Sequence, residues 1–201
     1  KGWGADVTAE TGPQYLLLDE SAFLEYPQKV IATPVIKRPE DSEALWQGLR
    51  DGVIDALISD HFLGTPLSVD RQLQKLQEIE PGIPGIELEY PLVYHHGVIK
   101  GNLSLKRFVS ITAENPAKLM GIAGIKGAIY PGMHADLVFL DTSTTWEVQT
   151  TLTDSAINIL PYQGWKLGCR VARTMVRGET VWDGSSICVE RGYGRFVGKR
   201  N

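Results

Sequence analysis

The 201 residues carry 20 Lys and Arg against 24 Asp and Glu, a formal net charge of -4. This balance does not indicate a basic nucleic-acid surface, and no apolar run approaches the ~18 residues of a membrane span. The two cysteines, Cys169 and Cys188, imply no disulfide framework, which favours a reducing cytoplasm. A start at Lys1, without an initiating Met or an apolar leader, is typical of an internal cut in a longer chain.

The first sixty residues predict a strand–helix–strand unit. Alternation of apolar and polar residues predicts a strand over residues 6–11, and a β-branched run predicts another over 29–33. A helix then begins at Pro39, with acidic residues in its first turn, and ends at Gly52. The apolar run over 54–59 is typical of a buried parallel strand, so the pattern predicts a βαβ unit.

The middle of the chain is predicted to be helical. A helical piece is expected over residues 69–79, and a longer helix over 86–98, although Pro91 argues against its first turns. Ser104 is the predicted N-cap of a further helix, and Pro116 opens a short one.

From about residue 126 the pattern changes to short strands and turns. A strand is predicted over 135–140, and a hairpin joins 171–176 to 179–182. We therefore predict a boundary near residue 123, with an α/β part over 1–123 and a β-rich part over 124–201.

Asp60 is the main candidate for chemistry. It follows an apolar strand directly, and α/β barrels place their active sites at the carboxyl ends of strands. A carboxylate there can ligate a metal or take a proton from water. The alternative is a turn or cap aspartate, because loops after strands favour Asp.

The four histidines are dispersed and do not predict a metal cluster. In extended geometry His61 would point away from Asp60, so a substrate-side role fits it better than ligation, and a partly buried loop histidine is the alternative. His95 and His96 are interpreted as a pair on a helix surface, and His134 as structural. The chain has no His-x-His, no phosphate loop and no base beside its Ser or Cys residues.

Six short segments, in order along nearly the whole chain, resemble sequence motifs of one known family. They are Glu10-Thr11-Gly12-Pro13-Gln14-Tyr15, Ala32-Thr33-Pro34-Val35, Ile58-Ser59-Asp60-His61, Gly82-Ile83-Pro84-Gly85, Asn115-Pro116-Ala117-Lys118 and Gly132-Met133-His134-Ala135-Asp136-Leu137. Together they resemble the carboxy-terminal part of the cyclic-amide branch of the amidohydrolases. That branch holds dihydroorotases, hydantoinases, dihydropyrimidinases and allantoinases.

The resemblance implies a fold and a reaction. The fold would be the last strands of a TIM-like (β/α)₈ barrel, with residues 10–17, 32–37 and 52–61 as strands six to eight, followed by the carboxy-terminal part of a small β-sandwich. Asp60 would bind a divalent metal, zinc by preference, and carry a proton to the leaving nitrogen of a cyclic amide or ureide. Thr33, His61 and Gly82 would contact that substrate, and the complete protein would be a homo-oligomer.

One departure from the family leaves an alternative open. The resemblance sets Gln14 where the family's sixth strand has a metal-binding histidine, and zinc prefers imidazole at such a position. The alternative is therefore a catalytically silent relative of dihydropyrimidinase that acts as an assembly scaffold. Because a whole barrel takes ~250 residues, this chain holds an incomplete site and is expected to be inactive, and to aggregate or need a partner chain, when isolated.

Overall fold

The structure is a computed structural model of the chain, and it describes residues 4–62, 75–149 and 160–198. Its first feature is a short parallel strand pair. Strand β1 (Glu10–Thr11) pairs with β2 (Ala56–Leu57), with Glu10 opposite Ala56 and Thr11 opposite Leu57. The pair is extended at both ends, since the Asp55 amide donates to the Ala9 carbonyl and the Ile58 amide to the Thr11 carbonyl. The strands predicted over residues 6–11 and 54–59 are both present, but each is shorter than predicted.

Three helices connect these two strands: α1 (Pro13–Leu17), α2 (Glu20–Glu25) and α3 (Pro39–Asp51). The predicted helix from Pro39 to Gly52 is confirmed. Asp41 accepts a bond from the Arg38 amide at the start, and Gly52 ends the helix with φ of 77°. Gly suits that end because this backbone region is strained for residues with a Cβ.

The strand predicted over residues 29–33 is wrong. A 3₁₀ turn covers Pro27–Lys29, and the following residues pair with no strand. Val30 and Ala32 are buried while Ile31 is partly exposed, so the alternation reflects packing against a core and not a sheet ladder. Because β1 and β2 are direct neighbours, no strand lies between them in the described residues.

The helical middle of the chain is confirmed. A 3₁₀ turn (Ile86–Leu88) leads into α4 (Glu89–Val93) and a π-helical stretch (Tyr94–Ile99). The Ser104 hydroxyl then accepts from the Arg107 amide and caps α5 (Leu105–Val109), which continues through a π-helical stretch (Ser110–Glu114) into α6 (Asn115–Leu119). Of the piece predicted over 69–79, only 75–79 are described, with a 3₁₀ turn at Leu76–Glu78; the rest lies outside the described residues.

The last part of the chain forms two antiparallel sheets. Strands β3 (Leu137–Asp141), β6 (Arg170–Val176) and β7 (Glu179–Trp182) form one in the order β3-β6-β7, and β4 (Trp146–Glu147) pairs with β5 (Lys166–Leu167) in the other. The predicted hairpin is confirmed. Its turn uses Arg177 and Gly178, both at positive φ.

The two halves of the chain share a hydrophobic core. One cluster joins Leu18, Val30 and Leu92 from the first half to Leu160, Tyr162 and Leu167 from the second. The other lies beneath α3, α4 and α5 and includes Trp46, Leu49 and Phe108. The boundary near residue 123 stays a prediction. In the parts of the chain that the structure describes, no helix is both long and apolar enough to cross a bilayer.

Candidate active site around Asp60

Asp60 lies three residues beyond the end of β2, on the side where parallel strands present their carboxyl ends. Its backbone takes a left-handed conformation with φ of 48°, which Asp tolerates better than most residues that carry a Cβ. Asp60, Tyr15 and Thr33 line the same cavity of about 570 Å³. The conformation therefore turns the chain at the strand end and places the carboxylate at an open cleft.

Two neighbouring side chains of α1 hold the Asp60 carboxylate. The Gln14 amide nitrogen and the Tyr15 hydroxyl each donate to Oδ2 of Asp60 at 3.0 Å. Within residues 4–62, 75–149 and 160–198, no donor bonds to Oδ1. Burial, and then the bond to Asp60, raise the pKa of Tyr15 to about 12, so the phenol stays protonated near neutral pH.

His61 is engaged by backbone groups. Its Nδ1 accepts from the Gly85 amide at 3.1 Å and from the Ile86 amide at 3.3 Å, and the residue forms a parallel bridge with Ile83. Nδ1 therefore carries no proton here, which leaves Nε2 as the nitrogen that could face a substrate. The imidazole fixes the loop that begins the helix at Ile86.

Thr33 and Gly82 occupy different positions relative to Asp60. Thr33 is exposed on the cavity that Asp60 lines. Gly82 is not among the described residues that line it, and its amide donates to the Ile31 carbonyl at 2.8 Å. A Cβ at Gly82 would come within 2.4 Å of the Phe62 ring, so the position has no room for a side chain.

The interpretation of His95 and His96 as a helix-surface pair is wrong. His95 Nδ1 accepts from the Gly168 amide at 3.0 Å, and the His96 ring lies 5.5 Å from the Trp165 ring. Both rings are therefore part of the contact between the π-helical stretch and the β-rich half. Burial lowers the pKa of both residues, that of His96 to about 4.

His134 lies in the turn before β3, as expected, and its buried Nδ1 makes no hydrogen bond in the described part of the chain. Nearby, Lys126 forms an ion pair with Asp136, which also accepts from the Arg177 amide. These contacts fix the start of β3, and among the described residues no three side chains of metal-ligand type meet there.

Gln14 has a different place from the one the resemblance implied. It lies on α1, after β1, and β1 is the direct neighbour of the strand that precedes Asp60. In a barrel the sixth and eighth strands are separated by the seventh, so β1 cannot be the sixth strand if β2 is the eighth. The assignment of Gln14 to the position of a sixth-strand histidine therefore loses its support.

Among the described residues, Asp60 is the candidate metal ligand that lies at the end of a parallel strand. No three His, Cys, Asp or Glu side chains come together within the described ranges. Asp60 nevertheless fits a ligand's role, since no residue that the structure describes donates to its Oδ1 and it borders an open cavity. The other ligands of a zinc centre, normally at least three, would have to come from elsewhere.

Sequence reasoning did not find Tyr15 or the contact of Gln14 with Asp60. The sequence did contain a signal for these contacts. A helix that begins directly after one parallel strand has its first turn near the end of the neighbouring strand. Assigning residues 10–17 wholly to a strand concealed that arrangement.

The comparisons with known proteins agree with this geometry. The model of the amidohydrolase family matches residues 17–181. D-phenylhydantoinase from Escherichia coli O1:K1 is 33% identical over 199 residues, which are 96% of this chain and 42% of that protein. The chain therefore spans about two fifths of the length of such relatives.

Solved structures show the same relation. L-hydantoinase (dihydropyrimidinase) from Arthrobacter aurescens is 34% identical with a TM-score of 0.91, covering 98% of this chain and 44% of that one. Dihydropyrimidinase from Brevibacillus agri NCHU1002 is 30% identical with a TM-score of 0.89, over 98% and 44%. The barrel class is thereby supported, while the division between barrel strands and sandwich stays a prediction. The chain belongs to the amidohydrolase family, together with the cyclic-amide hydrolases of the hydantoinase and dihydropyrimidinase type.

Proposed function

We propose that this chain contributes Asp60 to the active site of a metal-dependent hydrolase that opens a cyclic amide or ureide. The observation that carries the proposal is the position of the Asp60 carboxylate, at the carboxyl end of a parallel strand and on an open cavity. The relatives named above as hydantoinases and dihydropyrimidinases support the substrate class.

In this proposal Asp60 has two tasks. Its carboxylate would ligate a divalent cation, for which we propose zinc, and would hold a proton between the attack of water and the departure of nitrogen. The cation, when bound, polarises the ring carbonyl and lowers the pKa of water. The proton that Asp60 takes from the water is returned to the ring nitrogen, so the C–N bond breaks to give a neutral amine or ureide and a carboxylate.

The substrate contacts are proposed from position. Thr33 lies on the cavity beside Asp60 and presents backbone groups to a ring of amide character. His61 would offer Nε2, because backbone amides occupy Nδ1. Gly82 is proposed as a further contact through its backbone, as the resemblance implies, although its amide donates to Ile31. Amide rings present both donors and acceptors, which these groups complement.

We predict that Asp60→Asn in the full protein that carries this chain lowers kcat by about 10³-fold, since an amide cannot accept the proton. Hydrolysis of hydantoin, dihydrouracil, dihydroorotate and allantoin, followed by loss of ring absorbance or by product chromatography, measures the effect. Zinc content by mass spectrometry accompanies each assay.

Normal turnover by Asp60→Asn would contradict the assigned role. A wild-type protein that holds no metal and opens none of the four rings would favour the silent scaffold instead. That alternative now has less support, because Gln14 no longer occupies the position of a missing histidine.

A further inference from the structure

We propose that Gln14 and Tyr15 are positioning residues that hold Oδ2 of Asp60 by hydrogen bonds and so leave Oδ1 for the cation. This inference rests on the proposed function of Asp60 and concerns how its carboxylate is held.

Both donors converge on a single oxygen. The Gln14 amide nitrogen and the Tyr15 hydroxyl each lie 3.0 Å from Oδ2, while Oδ1 has no donor in the described residues. The two oxygens of a carboxylate exchange places by rotation about the Cβ–Cγ bond. Two donors fixed at one oxygen oppose that rotation, which makes the two oxygens unequal.

The helix that carries the donors is itself anchored. The Trp46 indole donates to the Leu16 carbonyl at 3.1 Å, and the Ser42 hydroxyl donates to the Tyr15 carbonyl at 3.0 Å. Both of these side chains belong to α3, which leads into β2 and so to Asp60. The donors and their acceptor are thus fixed to one rigid unit.

Gly12 leaves the space that the Gln14 amide occupies. A Cβ at Gly12 would lie 2.6 Å from Oε1 and 2.8 Å from Nε2 of Gln14, distances that no real Cβ contact shows. Gln14 is only 3% exposed, so its amide has little alternative space. Because Gly12 has no side chain, the Gln14 amide can occupy the position from which Nε2 donates to Asp60.

The chemistry of the donors suits a metal ligand. An amide and a phenol are neutral, so they orient the carboxylate without cancelling the negative charge that attracts a cation. A Lys or Arg in the same place would form an ion pair and compete with the metal. Hydrogen bonds of this kind to a metal's ligands typically change metal affinity or activity by about 10–100-fold.

The test compares Tyr15→Phe and Gln14→Leu with Tyr90→Phe in the full protein. Tyr90 is the matched control, because its hydroxyl donates to the Thr112 carbonyl at 3.1 Å, away from Asp60. Zinc affinity is measured against a competing chelator, the cobalt-substituted proteins are compared by visible absorbance, and kcat and KM are measured separately. Gln14→Met, which keeps a similar length but removes the donor, serves if Gln14→Leu fails to fold.

We expect each site variant to lose about 10-fold or more in zinc affinity and in kcat, with KM within about twofold and a shifted cobalt spectrum. Tyr90→Phe should change none of these. Site variants that match Tyr90→Phe in every readout would overturn this inference while leaving the proposed function intact. A wild-type protein without metal or turnover would overturn both.

Discussion

Asp60 shows how much of a residue's chemistry depends on neighbours that are remote in sequence. Its position after an apolar strand is visible in the sequence, but its partners Gln14 and Tyr15 lie more than forty residues earlier. The left-handed backbone at Asp60 is likewise invisible in the pattern. Local reasoning could name the carboxylate and could not say which of its oxygens accepts the bonds from Gln14 and Tyr15.

The histidine pair illustrates the same limit. His95 and His96 read as solvent-facing because neighbouring side chains on a helix diverge, yet each ring finds a contact in the β-rich half. Packing that buries a histidine favours its neutral form.

We predict that the free energy of unfolding falls as the pH drops from about 6.5, the ordinary pKa of histidine, towards 4. The folded-state pKa of His96 is lowered to about 4, so the unfolded chain binds the proton first and is stabilised by it. Urea denaturation across this range measures the effect. In His96→Phe, which keeps a ring against Trp165, the slope should be smaller, and an unchanged slope would contradict the assignment.

At the scale of elements, the helices from α3 onward were predictable because their signals are local. Proline and acidic residues begin α3, a glycine ends it, and Ser104 caps α5. The prediction of a strand over 29–33 was wrong because its signal, too, is only local. Alternating burial arises wherever an extended segment lies on a core, whether or not a neighbouring strand completes a ladder.

Arg107 is an element-scale link that no local pattern shows. From α5 it donates through Nε to the Leu49 carbonyl and through Nη2 to the Ile54 carbonyl, both at 2.6 Å. It thereby joins the end of α3 to the start of β2, and so supports the strand that leads to Asp60.

We predict that Arg107→Met lowers the free energy of unfolding by about 3 kcal/mol, since hydrogen bonds to charged groups contribute about 1.5–3 kcal/mol each. Urea denaturation provides the measurement. Arg50→Met is the control, because Arg50 pairs with Glu43 on the helix surface and such pairs contribute about 0–1 kcal/mol. Equal losses in the two variants would show that Arg107 is an ordinary surface residue.

For the whole molecule, the shared core means that neither half of the chain packs alone. Val30, Leu92 and Tyr162 meet in one cluster although they are widely separated in sequence. At the same time β1 and β2 form a two-stranded sheet in the described part of the chain, and large apolar side chains such as Val35 and Phe62 are exposed.

We predict that the isolated 201-residue chain associates or aggregates, because unpaired strand edges and exposed apolar surface favour both. Size-exclusion chromatography with light scattering tests this, and a partner chain with further barrel strands should restore a defined species. A monodisperse monomer that melts cooperatively would contradict the expectation.

The sequence by itself determined the family, the helices from α3 onward and the candidate carboxylate, because motifs, caps and strand-end residues are written in short stretches of chain. Tertiary structure alone decided that β1 neighbours β2, that Gln14 and Tyr15 bind Asp60, and that His95 and His96 face the β-rich half. Those contacts join residues 45 to 73 positions apart, and the free energy that selects them comes from packing and hydrogen bonds that no local window contains.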